Sequence, residues 1–419
     1  MISFILSLSI IFRVLYLFIF KYKTSLLYPE YFILVPPVFI FIIPYFLSGF
    51  EDISFITNFG LLIIFILSFF SSRQIFLKSR IRLRRIEGLQ KIFLFLISLF
   101  AYTLLFIQIF SIYELLKGSS LLQIFLSNRL ESYFDESIDK GSALGAFTVI
   151  LSFFYYIQVS ILFVEKKYKL AFFFVFIEIF YLMLFAVTRL SVVFPIVSIA
   201  IFFLYKSNVN LKKLLYSSVF FFILLAFYMS FSNKLRTGQD SEVVSLKESL
   251  NDISKEINYD QYHKMAEKWV DIRGVEYGYG WYLGSFVNFI PRFIYPDKPI
   301  TSSANRYTEK VTGSAPSMYN PVITFTLIGD GYFQLSYLGI ILELIFFYYV
   351  SSVIFWNLYY MPNNFGIYPA IRFSFFAFIY FRAEIPFVQF FIYLLLIVFT
   401  SLFFYDKDRE LPISYRYLG

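Results

Sequence analysis

The chain is a succession of long apolar runs with almost no charge inside them, and its charged residues are confined to short blocks between the runs. Backbone surrounded by lipid must satisfy its own N–H and C=O groups, which leaves only helices or a closed barrel. These runs are too long, and too rarely interrupted by turn residues, for barrel strands, so the expectation is all-helical. A bilayer core about 30 Å thick needs roughly 20 apolar residues per helix. Eleven runs approach that length, at 2–20, 31–48, 55–71, 92–115, 144–164, 170–187, 190–205, 214–231, 337–357, 367–381 and 385–404. The stretch 170–205 reads either as one re-entrant pair or as two full helices. The first run lacks a basic leader and a small-residue cleavage site, so it is expected to be a retained span and not a cleaved signal peptide.

Composition agrees. Charged residues make up 15% of the chain and hydrophobic residues 59%, with mean hydropathy +0.70. Soluble domains carry about 25% charged residues, so a soluble globular domain, a disordered chain and a coiled coil are all excluded. There is no cysteine and only one histidine, His263, which excludes disulfides, thiolate metal sites and a histidine-rich metal centre. The net charge of +8 follows membrane topology and does not indicate a nucleic-acid partner.

Basic residues between spans orient the chain. One alternating set of segments (21–30, 72–91, 165–169, 206–213, 358–366 and 405–419) carries 18 Lys and Arg, against 5 in the opposite short segments. The block Arg73, Lys78, Arg80, Arg82, Arg84 and Arg85 is the strongest single signal. It is placed in the cytoplasm, with the N-terminus outside and the C-terminus inside. The chain then divides into spans 1–8 over residues 1–231, a large exterior loop over 232–321, and spans 9–11 with a cytoplasmic tail over 322–419. A smaller exterior loop, 116–143, is acidic.

The large loop carries the chemistry-bearing pattern. Its 240–275 stretch has apolar residues at helical spacing and is expected to form amphipathic helix near the membrane surface. Tyr279 and Trp281 lie among glycines, where they read as interface anchors or as sugar-stacking groups. Asn288–Pro299 holds three prolines that forbid regular helix and present Arg292 and Lys298 on a stiff segment suited to an anion, with Arg306 following. Asp330 lies between Gly329 and Gly331 at the entry to the ninth span, either as a base or as a helix cap, and the glycines are expected to let the chain turn there. Arg189, Arg236 and Arg382 map to the same exterior level. Guanidinium binds phosphate oxygens bidentately and stays charged, so their convergence with Arg292 would make a diphosphate site. Within the spans, Arg13 and Glu343 are expected to pair or to face the bundle interior, Glu178 to face a polar cavity, and Arg372 to reach toward the cytoplasm. His263 reads as a surface residue of the amphipathic stretch.

Four pieces together resemble the bacterial O-antigen polymerase family (Wzy-type oligosaccharide repeat-unit polymerases): Thr188-Arg189-Leu190-Ser191, Pro291-Arg292-Phe293-Ile294-Tyr295-Pro296-Asp297-Lys298-Pro299, Gly329-Asp330-Gly331 with Gly339, and Arg382-Ala383-Glu384. The resemblance covers about residues 170–395, with Asp330 where many members carry Glu. It implies a GT-C-like membrane glycosyltransferase architecture in the inner membrane. The implied reaction moves a growing glycan from undecaprenyl diphosphate onto the terminal sugar of a new lipid-linked unit. It is metal-independent, needs no cofactor, and has lipid-linked oligosaccharide as donor and acceptor, membrane lipid as surroundings and a chain-length regulator protein as a further partner. Arg189 and Arg382 would be catalytic. Arg189, Arg236, Arg292, Lys298, Arg306, Arg382, Tyr279 and Trp281 would bind substrate, and Asp330 or Glu384 would be the base. An O-antigen ligase and a lipid-linked oligosaccharide flippase are the alternatives.

Because the chain has no cysteine, single introduced cysteines report topology directly. Ser119→Cys is expected to react with a membrane-impermeant maleimide added outside intact cells, and Ser79→Cys only after permeabilisation. The reverse pattern would invert the orientation.

Overall fold

The computed structural model describes residues 2–25, 29–47, 53–79, 90–118, 142–185, 189–206, 259–287, 290, 294–295, 297, 303–313, 325–361, 365–381 and 387–404. Among them there is no strand. The helices are α1 (Ile2–Ser25), α2 (Pro29–Pro37), α3 (Ile43–Leu47), α4 (Phe55–Leu67), α5 (Ser72–Ser79), α6 (Gln90–Gly118), α7 (Ser142–Val164), α8 (Tyr168–Phe185), α9 (Arg189–Lys206), α10 (Asp260–Arg273), α11 (Tyr279–Ser285), α12 (Ser303–Thr312), α13 (Leu327–Tyr359), α14 (Ile367–Phe381) and α15 (Phe387–Phe404). Helix covers all or most of ten of the eleven apolar runs, and the run 214–231 lies outside the described residues. The stretch 170–205 holds two helices of 18 residues each, which fits either reading of it.

Three helical stretches are long and apolar enough to cross a membrane: Pro29–Phe46, Lys91–Glu114 and Leu327–Tyr359. Shorter apolar stretches include Phe55–Leu67, Val149–Val164 and Gln389–Thr400. By these helices the chain is a membrane protein. A five-residue π turn, Val38–Ile42, joins α2 to α3. Its cause is local: Pro36 and Pro37 have no N–H to donate, so the ladder slips and Ile43 N–H reaches back to Val38 O.

Helix α13 is the hub, packing against α2, α4, α5, α10, α14 and α15, while α7 joins α6, α8, α14 and α15 into the other half of the bundle. Several charged side chains in this bundle bond to other helices within it. Arg13 on α1 donates to Ser68 O beyond the end of α4 at 2.8 Å, and its guanidinium lies 4.5 Å from the Phe69 ring centre. Glu343, on α13, is buried in the bundle interior. Glu30 on α2 accepts from Ser72 N at 3.1 Å and from its hydroxyl, holding the start of α5. The indole of Trp356 donates to that same hydroxyl at 2.9 Å. Arg372 on α14 does not reach toward the cytoplasm: it is buried and pairs with Glu178 on α8 at 2.6 Å, with Tyr156 of α7 bonded to both.

A straight helix of 33 residues would be about 50 Å long, more than a bilayer core accommodates upright. The α13 segment is not straight. Leu335 (φ −145°, ψ 29°) and Ser336 (φ 56°, ψ −141°) leave helical geometry, and the chain folds back there. Gly331 and Gly339 make the return possible. Eight residues apart in a straight helix would be about 12 Å along the axis. Here a β-carbon on Gly339 would stand 1.9 Å from Gly331 O, and one on Gly331 2.8 Å from Gly339 C. The reversal is thus at Leu335–Ser336 and not at the glycines, which supply backbone contact across it. The non-glycine residue at positive φ stores strain of order 1–3 kcal/mol.

Gly339→Ala is expected to open this contact and to destabilise the fold by about 1–3 kcal/mol, as for overpacking a close-packed interior. Thermal unfolding of the purified protein in detergent measures it against the wild type.

Candidate functional site

The described part of the large loop folds onto the N-terminal end of α13. Helix α10 packs on α13 and α4, and α11 on α15 and α13. Two polar constellations result.

The first centres on His263, which the sequence reading places on the surface. It is fully buried. Helix α10 presents Asp260, His263 and Ala266 to the bundle, so its buried face, not its polar character, decides the position. Asp260 Oδ1 accepts from Ser54 N at 2.9 Å, Ser54 Oγ at 2.6 Å and Thr57 Oγ1 at 2.7 Å. Thr57 spends its only hydroxyl proton on Asp260. Its oxygen must therefore accept from His263 Nδ1–H, 2.6 Å away, and His263 Nε2 accepts from Thr326 Oγ1 at 2.9 Å. The network fixes one neutral tautomer. Burial pushes the His263 imidazole down to about 4, against the opposing charge of Asp260. Burial raises the Asp260 carboxyl, but the hydrogen bonds from Ser54 and Thr57 outweigh it and hold the group below its ordinary value. Thr326 is the residue preceding α13, so this chain ties α4, α10 and α13 together.

The second constellation surrounds Asp330. Tyr307 of α12 is fully buried, stacks on Phe333 with ring centres 4.2 Å apart, and donates its hydroxyl to Asp330. The same oxygen accepts from Gln334 Nε2 at 2.7 Å. Gln334 Nε2 also donates to Glu276 at 3.1 Å, and its Oε1 accepts from Gly280 N at 3.0 Å. Glu276 is the anionic centre: Arg306 Nη2 lies 3.1 Å from Oε2, and Lys310 pairs with Oε1. Its N–H donates to Phe333 O at 2.9 Å, satisfying a carbonyl freed where α13 breaks. Gly280 must be glycine for this closure, since a β-carbon there would stand 2.2 Å from both Arg306 Nη2 and Gln334 Nε2. Burial, followed by the negative charge of Asp330, pushes the Tyr307 hydroxyl well above its usual range.

Asp330 is thus in the first turn of α13, but its carboxylate is held by Tyr307 and does not act as a helix cap. It is 2% exposed and roofed by α12. Arg306 is also buried and committed to Glu276, while its Nε and Nη1 have no partner. Trp281 likewise holds a buried Nε1 without a partner, and Tyr279 is half exposed. These unfilled groups are all donors, so they match an acceptor-rich ligand such as a phosphate or a sugar hydroxyl. Arg189 begins α9, with its side chain outside the described residues. Arg236, Arg292, Lys298, Arg382 and Glu384 lie outside the described residues. Sequence reasoning missed Glu276, Tyr307 and Gln334 at this site. The signal for Glu276 was the glycine spacing around it: Gly274 and Gly278 both take positive φ, which aims the intervening residues back at α13. Among the described residues no group of three or more His, Cys, Asp or Glu could hold a metal ion. Comparison of the chain with protein-family models, curated proteins and solved structures gave no match.

The neutral, buried His263 has a folded value of about 4 against about 6.5 for an unfolded chain. Between those values the unfolded state binds the extra proton, so this contribution is complete above pH 6.5, is lost as pH falls, and levels off below pH 4. The loss is expected to be about 3 kcal/mol. Melting temperature against pH for wild type and His263→Gln checks it: only the wild type should fall across this window.

Proposed function

We propose that the chain is a bacterial repeat-unit polymerase of the Wzy type, transferring a growing glycan from a polyprenyl diphosphate to a lipid-linked acceptor at the outer face of the inner membrane. The observation that carries this reading is the joining of Asp330, through Tyr307, to a cationic cluster whose Arg306 and Trp281 donors are unfilled. That is an acid–base group and a donor-rich edge at one end of the helix bundle. The bond to break is the anomeric carbon–oxygen bond to the diphosphate, and the bond to form joins that carbon to an acceptor hydroxyl. Arg189, Arg292 and Arg382 would hold the departing diphosphate, whose developing charge preorganised cations stabilise. The acceptor proton would pass to Asp330 by way of the Tyr307 hydroxyl, or to Glu384.

A second reading, a transporter of the same lipid-linked units, draws on a different observation. Helix α13 is discontinuous, and an ion pair is buried among α7, α8 and α14, both features of membrane transport paths.

Arg189→Ala and Arg382→Ala are each expected to reduce long-chain glycan about a hundredfold, the typical effect of removing one charge-stabilising donor, with membrane insertion unchanged. A glycan gel of the complemented deletion strain, run beside extracted lipid intermediates, checks this. Wild-type chain lengths with both variants would sink the polymerase. Single units trapped on the cytoplasmic side of the deletion strain would establish the transporter.

A further inference from the structure

Helix α14 packs on α7 and on α9, and α8 packs on both of those. Polar side chains from all four helices meet at this junction. Arg372 of α14 donates from Nη2 to Glu178 of α8 at 2.6 Å and to the Tyr156 hydroxyl of α7 at 3.0 Å. Tyr368 lies one turn before Arg372, with its ring centre 6.1 Å from that of Tyr156. Ser198 comes from α9. Phe194 packs on Phe375, and Phe202 on Tyr368, across α9 and α14. Ser198 is one turn from both Phe194 and Phe202, so it shares their face and stands at the level of Ile371 and Arg372. Among the described residues, Arg372 Nε and Nη1, Glu178 Oε2 and the hydroxyls of Tyr368 and Ser198 have no hydrogen-bond partner. Tyr368 and Ser198 are fully buried, and the side chains of Arg372 and Glu178 are 9% and 6% exposed. Ser352 and Ser374 of the same bundle return their hydroxyls to the carbonyl four residues earlier, but Ser198 does not.

We propose that this junction is a binding site for hydroxyl groups, taking water or the hydroxyls of a sugar unit between α7, α8, α9 and α14. The atoms without partners define the ligand. The guanidinium offers N–H donors, the Tyr368 and Ser198 hydroxyls can each donate or accept, and Glu178 Oε2 as a carboxylate oxygen only accepts. A matching ligand must therefore both accept and donate, as O–H groups do. A simple anion supplies no donor for Glu178 Oε2, and the charge of Arg372 is already balanced by Glu178. Nor do the two open guanidinium nitrogens form a fork for a carboxylate or phosphate. Nε and Nη1 share no edge of the guanidinium, and the edge from each leads to Nη2, which is engaged. Separate oxygens must meet them. Buried positions with about two to four polar partners hold water, whereas apolar cavities stay dry. The site requires nothing of the polymerase chemistry.

Hydroxyl-radical footprinting of the full-length protein in lipid nanodiscs, read residue by residue by mass spectrometry, tests it, because radicals formed from a held water oxidise the ring beside it. Tyr368 is expected to be oxidised as readily as the exposed Tyr277, while the equally buried Phe347 stays unmodified. The double variant Glu178→Leu with Arg372→Met exchanges the whole ion pair for apolar groups, a change that folded proteins often tolerate, and is expected to abolish oxidation of Tyr368. Glucose added in excess separates the two sources. With a water site the oxidation of Tyr368 relative to Tyr277 is unchanged, and with a sugar site it falls. Two results would overturn the proposal. One is no oxidation of wild-type Tyr368 above Phe347 without glucose, meaning a dry junction. The other is undiminished oxidation in the double variant, meaning that the ring is reached from bulk solvent. Should the double variant fail to fold, Ser198→Ala removes one hydroxyl and no charge, and takes its place with a partial loss expected. The oxidation reads hydration whether or not the chain makes polymer, so a failed glycan assay leaves this result standing.

Discussion

Lipid offers no hydrogen-bond partner, so every polar atom in the bundle must be answered by another part of the same chain. That constraint accounts for most of the specific ties in this protein. Breaks in helices are where it acts most strongly, because a break frees carbonyls and N–H groups. Ser68 O, beyond the end of α4, is taken by Arg13 from a neighbouring helix. The N–H and hydroxyl of Ser72, at the start of α5, are taken by Glu30. Phe70 O, between them, takes the hydroxyl of Tyr348 at 2.6 Å. Three residues far apart in sequence thereby fix one short connection, and they do so with side chains whose removal would leave buried backbone groups unmatched, at about 1–3 kcal/mol each.

The same logic explains the loop helices α10, α11 and α12. Helices α10 and α12 contribute ring packing around Phe333 from Trp269 and Tyr307, but their register on α13 is set by polar contacts. Thr326 to His263 fixes α10, Glu276 N–H to Phe333 O fixes the following turn, and Tyr307 to Asp330 fixes α12. Each of these bonds reaches the segment 326–334, just ahead of the break in α13. The segment 326–334 therefore organises helices drawn from residues 260–312.

How far this was legible in the sequence depends on the type of signal. Apolar runs gave helix positions closely, since length and absence of charge are set by the lipid core. Gly329, Asp330, Gly331 and Gly339 stand out in the sequence as glycines flanking a carboxylate at a span entrance, and the structure buries Asp330 there under Tyr307. The position of the reversal was not legible. Leu335 and Ser336 are residues of no special conformational freedom, and Ser336 adopts positive φ only because the glycine contact forces it. His263 was misread because a lone histidine in a polar helix carries no sign of which face it occupies. Its burial follows from Ser54 and Thr57, two hundred residues earlier, and no local pattern encodes such pairing. Arg372 was misread for a related reason: position near a span end permits an exit to water, but Glu178 and Tyr156 offered a bidentate alternative within the bundle.

The two buried ionic centres differ in completeness, and the difference bears on what each does. Both carboxylate oxygens of Glu276 are engaged, by Arg306, Lys310 and Gln334. Around Glu178 and Arg372 the engagement is partial: Glu178 Oε2, Arg372 Nε and Nη1, and the neighbouring Tyr368 hydroxyl have no partner. A buried ion pair whose remaining valences are empty is a weak source of stability, because the desolvation of both groups is only partly offset. A structural tie would be expected to look like Glu276. The Glu178–Arg372 centre instead looks like Arg306, one side satisfied and one side open, and in both places the open positions are mainly donors. The bundle thus keeps unspent N–H groups at two places, one at Arg306 on α12 and one among α7, α8 and α14. A chain handling a polar, acceptor-rich molecule beside a membrane would need such groups, and a purely structural bundle would not.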